Sequence, residues 1–406
     1  MDVDPGATLK VSVVIPCLDE ERAVGSVVDD AWHGLEAAGV DGEVIVVDNG
    51  STDRSAEIAE ERGARVVHES RRGYGSAYLR GIDEARGEII VMVDADGTYP
   101  LDMLPELVRE IDEGADMVLG SRFQGSIKAG AMPWSHRWIG NPVLTAILNV
   151  FFGVKVSDAH CGLRAVRRDV LPALRLHSTG MEFASEMILK AAKRNLKVTD
   201  VPIDYHPRIG DSKLNTVRDG WRHLRFMLVH SATFLFLIPG AVLFFLGLLV
   251  LIPMSTGPVH VFGFTWHIHA MIVASTATLV GAQIVQMGLF ARTYAILYLG
   301  DRDEVIEKLW KRFRLEHGLL LGGLTMLAGV GIIVGIFADW AYGGFGALAR
   351  VYPALLGLTL AGLGIQIVFA SFFLSVLSLR SDFDEENAAT TRRAEEPVGV
   401  GPLGVR

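Results

Sequence analysis

An α/β unit followed by an all-helical membrane unit is the architecture predicted for this 406-residue chain. Short β-branched runs alternate with helix-like stretches in the N-terminal part, four long uncharged apolar blocks follow, and the two kinds of sequence do not intermix. The change falls near residue 230. It defines a first unit over 1–230, a second over 231–380 and a polar tail over 381–406.

Within the first unit the strand-like runs are Val11 to Ile15, Val44 to Val47, Ala64 to Val67 and Ile89 to Val93, with helical stretches such as Glu20 to Ala38 and Leu79 to Ala85 between them. Short β-branched runs bounded by Gly, Asp and Pro read as buried strands, and helices between them imply a parallel, Rossmann-like sheet. Ligands of such sheets gather at the carboxyl ends of the strands, so functional residues are sought there.

In the second unit the blocks run from Ser231 to Ile252, His269 to Phe290, Gly318 to Ala338 and Tyr352 to Leu379, and none contains Asp, Glu, Lys or Arg. About 20 such residues cross a hydrocarbon core of about 30 Å as a helix. Arg208, Lys213, Arg218, Arg222 and Arg225 precede the first block, a basic loop separates the second and third, and the opposite loops carry only Arg350. The positive-inside rule then places the first unit, the middle loop and the tail in the cytoplasm of a multi-pass cell-membrane protein. Apolar and charged residues alternate at helical spacing over 301–317, which is expected to form an interfacial helix. The stretch Leu214 to Val229 is a juxtamembrane amphipathic helix by the same pattern. Small residues four apart, Gly331 with Gly335 and Gly357 with Ala361, suit close helix approach, and the tail composition suits disorder.

A formal charge of -9 with no Lys/Arg-rich run argues against a nucleic-acid partner. Cys17 and Cys161 are too few for a disulfide framework or a Cys-ligated zinc site, and are expected to be structural. Met1 to Lys10 carries Asp2 and Asp4 and no apolar core of a signal peptide.

The chemistry-bearing residues stand at strand ends. Asp94-Ala95-Asp96 follows an apolar strand, and two carboxylates at that spacing can share a hard divalent cation that neutralises a departing diphosphate. Asp48 closes the second strand, where an acidic residue can accept hydrogen bonds from a base or ribose; Ser51, Thr52 and Asp53 after it read as a turn and helix cap. The first strand runs into Pro16-Cys17-Leu18-Asp19-Glu20-Glu21 without a Gly-x-Gly-x-x-Gly, which disfavours a dinucleotide dehydrogenase.

Six ordered motifs carry a resemblance. They are Val13-Val-Ile-Pro-Cys-Leu-Asp-Glu20, Val47-Asp-Asn-Gly-Ser-Thr-Asp53, Asp94-Ala-Asp96, Gly120-Ser-Arg122, Asp158-Ala-His-Cys-Gly-Leu-Arg164 and Tyr205-His-Pro-Arg-Ile-Gly-Asp-Ser-Lys213. The set resembles family 2 glycosyltransferases of the GT-A fold, and within them the dolichol-phosphate mannose/glucose synthase group. It covers about the first 230 residues, and four spans after the catalytic domain also occur in that group.

The resemblance implies that Pro16, Leu18, Glu20 and Asp48 line the base and ribose site of a nucleotide sugar, and that Asp94 and Asp96 hold Mg²⁺ or Mn²⁺ on its diphosphate. Mannose synthases of the group read Asp-Ala-Asp-Leu-Gln; Thr98 stands here in place of the Gln, and a hydroxyl or a water can take that ligand position. The same departure favours UDP-glucose over GDP-mannose. Arg122 and Arg137 match arginines that contact the acceptor phosphate, and Arg208 and Lys213 lie close enough before the first span to add charge there. Asp158, Arg164, Glu182, Glu186 and Ser212 are further candidates, for substrate contact or for holding loops. The implied reaction is single displacement with inversion onto a polyprenyl phosphate, dolichyl or undecaprenyl; an ionised phosphate nucleophile needs no strong base, so catalysis rests on positioning and charge stabilisation. A processive polysaccharide synthase is disfavoured because no Gln-x-x-Arg-Trp run follows the first unit. A non-catalytic transport or lipid-binding protein is disfavoured by the intact Asp94, Asp96 and Arg122 and by spans without buried charge.

Overall fold

The computed structural model describes residues 9–210, 216–261, 263–299, 315–347 and 350–395, and the chain divides into two units between Ser231 and Ala232. In the first unit the β-branched runs form β1 (Val11–Cys17), β2 (Gly42–Asp48), β3 (Arg65–His68) and β4 (Ile89–Met92), all parallel. Register sets Cys17 opposite Asp48, and Asp48 opposite His68, so the carboxyl ends of the first three strands lie abreast.

Three further strands, β5 (Met117–Ser121), β6 (Arg164–Arg167) and β7 (Val198–Pro202), complete a seven-stranded sheet of order β3-β2-β1-β4-β6-β5-β7. β6 runs antiparallel to both neighbours, a departure from the all-parallel expectation. A parallel partner requires a crossover to the opposite end of the sheet. Instead, residues 122–163 leave β5 at its carboxyl end and feed β6 from that same end, so the whole excursion stays where ligands of the sheet bind.

Period-two alternation divides the core between the two faces. Val11, Val13 and Ile15 pack with α1 (Val24–Ala38) and, beyond α2 (Ser55–Glu61) and α3 (Tyr74–Glu84), with α4 (Leu104–Asp112). On the other face Val14, Ile45, Val47 and Met92 meet Ala77 and Tyr78 of α3. After α5 (Asn141–Phe152) and α6 (Leu171–Leu174), α7 (Phe183–Lys193) brings Phe183 and Met187 to that face, and α8 (Thr216–Val229) brings Met227. α1 begins at Val24 rather than Glu20 because the Glu20 carbonyl caps the turn, accepting from Ala23 N at 3.0 Å and Val24 N at 2.9 Å. It ends at Gly39, whose φ of 64° is the left-handed conformation that glycine adopts without strain.

In the second unit four helices are long and apolar enough to span a membrane, over Thr233–Thr256, Ile268–Ile296, Leu315–Tyr342 and Val351–Leu377. They correspond to α9 (Ile238–Leu251), α10 (Ile268–Leu299), α11 (Leu315–Tyr342) and α12 (Val351–Glu395), of which α10 and α12 run on past their spans, with a hairpin of β8 (Val259–Val261) and β9 (Phe264–Trp266) between the first two spans. Of the expected interfacial helix, residues 301–314 lie outside the described residues, and Leu315 to His317 open α11. Of the expected disordered tail, 381–395 continue α12 to Glu395, and 396–406 lie outside the described residues. Extending an existing helix carries no nucleation cost, and this stretch is rich in Ala, Glu and Arg. The small-residue expectation holds only in part. A Cβ on Gly357 would come within 3.0 Å of the Gly329 carbonyl, and one on Gly329 within 2.4 Å of Ala361 N, whereas Gly331 and Gly335 face open space. On α11 the close contact with α12 therefore uses Gly329 and Gly322 rather than Gly331 and Gly335, while on α12 it uses the expected Gly357 and Ala361.

Candidate active site

At the carboxyl end of the sheet, a cavity of about 240 Å³ is lined by Pro16, Leu18, Glu20, Asp94, Asp96 and Arg208, all singled out by sequence, and by Asn49, Gly73, Tyr74 and Met181, which were not. β1 delivers the first three and β4 the two aspartates. The loop after β1 is stitched to the loop after β2: Asp19 Oδ1 accepts from Thr52 N at 2.6 Å, Glu20 N donates to Ser55 Oγ at 2.8 Å, and Glu21 N donates to Asp53 Oδ2 at 3.1 Å. Ser51, Thr52 and Asp53 thus build the wall, as a turn should. Asp48 does not line the cavity. It is 6% exposed, accepts from Ser51 N at 3.1 Å and lies 3.2 Å from His68 Nδ1; burial works to raise its pKa, and these hydrogen bonds outweigh it and hold the carboxyl below its ordinary value.

Asp94 Oδ1 accepts from the Tyr74 hydroxyl at 2.9 Å and from Tyr78 at 3.4 Å. Burial first, then the charge of Asp96, push its pKa up to about 6. Asp96 is oriented by Thr98, whose hydroxyl and backbone N–H both donate to Oδ1, at 2.6 and 3.1 Å. Its other oxygen, Oδ2, lies 3.6 Å from Arg208 Nη2, which also binds Glu20 Oε1 at 2.7 Å. Two carboxylates in one cavity, one of them buried and unfavourably charged, fit a divalent cation that takes its remaining ligands from phosphate and water. Thr98 is 1% exposed and spent on Asp96, so its geometry is that of a support behind the carboxylate.

The remaining candidates fall elsewhere. Arg122 is 6% exposed and grips Asp158 with both arms of the guanidinium, Nε to Oδ2 at 2.6 Å and Nη2 to Oδ1 at 2.8 Å, while stacking 5.2 Å from the Tyr205 ring. Arg164 donates to the carbonyls of Cys161, Ala159 and Ala184. These three residues hold the 158–164 loop. Glu186 holds another, accepting from Ser178 N at 2.8 Å and pairing with Lys190 Nζ at 2.7 Å and His177 Nδ1 at 2.8 Å. Glu182 precedes α7 and lines a separate cleft. Arg137 sits in the turn before α5, its guanidinium 5.4 Å over Trp138, and is not among the cavity-lining residues. Ser212 and Lys213 lie outside the described residues.

Residues 12–175 match the family model described as glycosyl transferase family 2, and residues 289–378 match the model for the C-terminal transmembrane region of that family. A relative from Haloferax volcanii, described as low-salt glycan biosynthesis hexosyltransferase Agl6, is 41% identical over 377 residues, which is 93% of this chain and 90% of the relative. The chain belongs to glycosyltransferase family 2. Over the first unit it is also similar to a dolichyl-phosphate hexose transferase of Haloferax volcanii, 34% identical over 211 residues (52% of this chain, 89% of the relative). A dolichol-phosphate mannosyltransferase of Pyrococcus furiosus is 29% identical over 228 residues (53% and 63%).

In this family 2 transferase the residues that sequence reasoning missed come from three places: Asn49 after β2, Gly73 and Tyr74 at the start of α3, and Met181 before α7. Asn49 Oδ1 accepts from Gly73 N at 2.7 Å, and its Nδ2 donates to the carbonyls of Glu69 and Arg71. That clamp sets Tyr74 beside Asp94. The available signal was the Gly73-Tyr74-Gly75 step between a strand and a helix. The two thiols are buried and pushed up to about 12 by that burial, consistent with a structural reading of both.

Proposed function

We propose that the enzyme transfers one hexose, with inversion, from a nucleotide sugar to a polyprenyl monophosphate, dolichyl or undecaprenyl, on the cytoplasmic face of the cell membrane. The observation that carries this reading is the convergence of Pro16, Leu18, Glu20, Asp94, Asp96 and Arg208 on one cavity. Asp94 and Asp96 would hold a Mg²⁺ or Mn²⁺ ion, which neutralises charge on the departing nucleoside diphosphate. Tyr74 and Thr98 keep the two carboxylates in place, Pro16, Leu18 and Glu20 receive the nucleoside with Asp48 bracing that wall, and Arg208 adds positive charge at the diphosphate. Lys213 and Arg137 are assigned to the acceptor phosphate. Arg122 acts through the loop that it holds with Asp158.

UDP-glucose is the donor to test first, because of Thr98. Membranes containing the enzyme are incubated with radiolabelled UDP-glucose, GDP-mannose and related donors plus polyprenyl phosphate, and lipids are separated by thin-layer chromatography. A single labelled glycolipid that disappears with EDTA and with Asp96→Ala is the expected result. A polymer at the origin, or full transfer in EDTA, would sink the reading.

A further inference from the structure

The first unit carries a second hollow, an open cleft of about 830 Å³ beside the catalytic cavity, with Gly73 lining both. Arg71 and Arg72 line it from the loop before α3, Arg222 and Arg225 from α8, and Glu182 from the start of α7. Among the described residues that line it, four guanidiniums stand with one carboxylate, in a chain whose overall charge is -9. A concave surface of one sign concentrates counter-ions, and guanidinium forks match phosphate oxygens.

The walls are set by contacts that owe nothing to an occupant. Arg72 Nη2 donates to the Gly50 carbonyl at 3.1 Å, Asn49 holds the Arg71 carbonyl at 2.9 Å, and Glu186 fixes residues 177 and 178. Glu182 Oε2 packs against Gly180, shielded from solvent, so the four guanidiniums set the chemistry offered to an occupant. The occupant therefore carries a phosphate.

Its source follows from α8. Trp221 and Val229 are 57% and 64% exposed and share a helical face with Arg222 and Arg225. The first span begins at Thr233, so Arg225 precedes it by eight residues in sequence. An aromatic ring, an apolar residue and arginines so few residues before a span are the composition of a membrane interface.

We propose that this cleft binds the headgroup of an anionic phospholipid such as phosphatidylglycerol, with the four arginines on the phosphate. The inference is independent of the reading proposed for the catalytic cavity. The full chain, purified in a neutral detergent, is titrated with phosphatidylglycerol or phosphatidylcholine, and bound lipid is counted by native mass spectrometry. Phosphatidylglycerol should bind about tenfold more tightly, and the double variant Arg71→Ala/Arg225→Ala should lose about tenfold of that affinity, the scale of one charged hydrogen bond. Its thermal midpoint reports folding; if it melts early, Arg71→Gln alone, on an exposed loop, carries the comparison. Equal retention by parent and variant overturns the proposal. So does displacement of the lipid by millimolar inorganic phosphate, which would mark a soluble-anion site, or by polyprenyl phosphate with a raised KM in the variant, which would mark an acceptor site.

Discussion

Arg208 reaches into the cavity and touches two carboxylates, Glu20 at 2.7 Å and Asp96 at 3.6 Å. Its sequence neighbour Asp204 pairs instead with Lys128 at 2.7 Å. On the proposed reading, the guanidinium would stand at the donor diphosphate, where negative charge grows as the bond breaks. Arg208→Ala should lower turnover at saturating lipid by about 10²-fold, the loss typical of one electrostatic stabiliser, with little change in donor affinity. Near-parental turnover in that kinetic series would reduce Arg208 to a loop anchor. Glu186 is a residue of the other sort, wholly buried and remote from chemistry. Burial works to raise its pKa, but Lys190 and the backbone of Ser178 and His177 outweigh that and hold it below its ordinary value. Its stabilising contribution is then full above about pH 4.5 and lost as pH falls through the lowered folded value. Glu186→Gln should cost about 2–3 kcal/mol at pH 7, discounted because Lys190 retains some solvent, and the gap from the parent should close toward pH 3. Denaturant melts at both pH values measure it; a gap independent of pH would show that packing alone is involved.

Helices and strands bring these residues within reach of one another. Loop 176–182 leans on the start of α3, where Ser76 N donates to the Thr179 carbonyl at 3.2 Å and a Cβ on Gly75 would lie 2.1 Å from the Ser178 carbonyl. Backbone cannot yield there as a flexible side chain would. Gly75→Ala should therefore destabilise by about 1–3 kcal/mol and weaken nucleotide binding, since Tyr74 and Met181 line the cavity from the two displaced elements. Thermal midpoints with and without nucleotide test this, and an unchanged ligand-induced rise would separate α3 from donor binding. At this scale β1 to β4 were legible because β-branched runs declare buried strands. β6 was not, because Arg164-Ala-Val-Arg167 is short, flanked by charge, and made a strand only by neighbours on both sides.

For the whole molecule, the division at Ser231 and Ala232 separates every residue of the catalytic cavity from every membrane span. Residues 1–231 alone should bind donor nucleotide with near-parental affinity yet transfer poorly to long-chain lipid, because the proposed polyprenyl phosphate acceptor would be confined to the bilayer. Parallel assays of the truncated and intact proteins, in one detergent and with long- and short-chain acceptors, check it. Equal turnover of the long-chain lipid would mean that the spans contribute nothing to acceptor presentation.

Local sequence by itself determined the order of the units, the four spans, the first four strands and the strand-end aspartates, because hydrophobic period, uncharged length and strand-end position are properties of consecutive residues. Tertiary structure decided what each charged side chain is for. Arg122 and Arg208 look equally free in sequence, yet one is buried against Asp158, 36 residues away, and the other reaches Glu20, 188 residues away. Glu186 and the two glycines before and after Tyr74 acquire their tasks from a loop that no local pattern identifies. The physical reason is that pairing energy and steric contact depend on distance in space, and over such separations only the packed fold sets that distance.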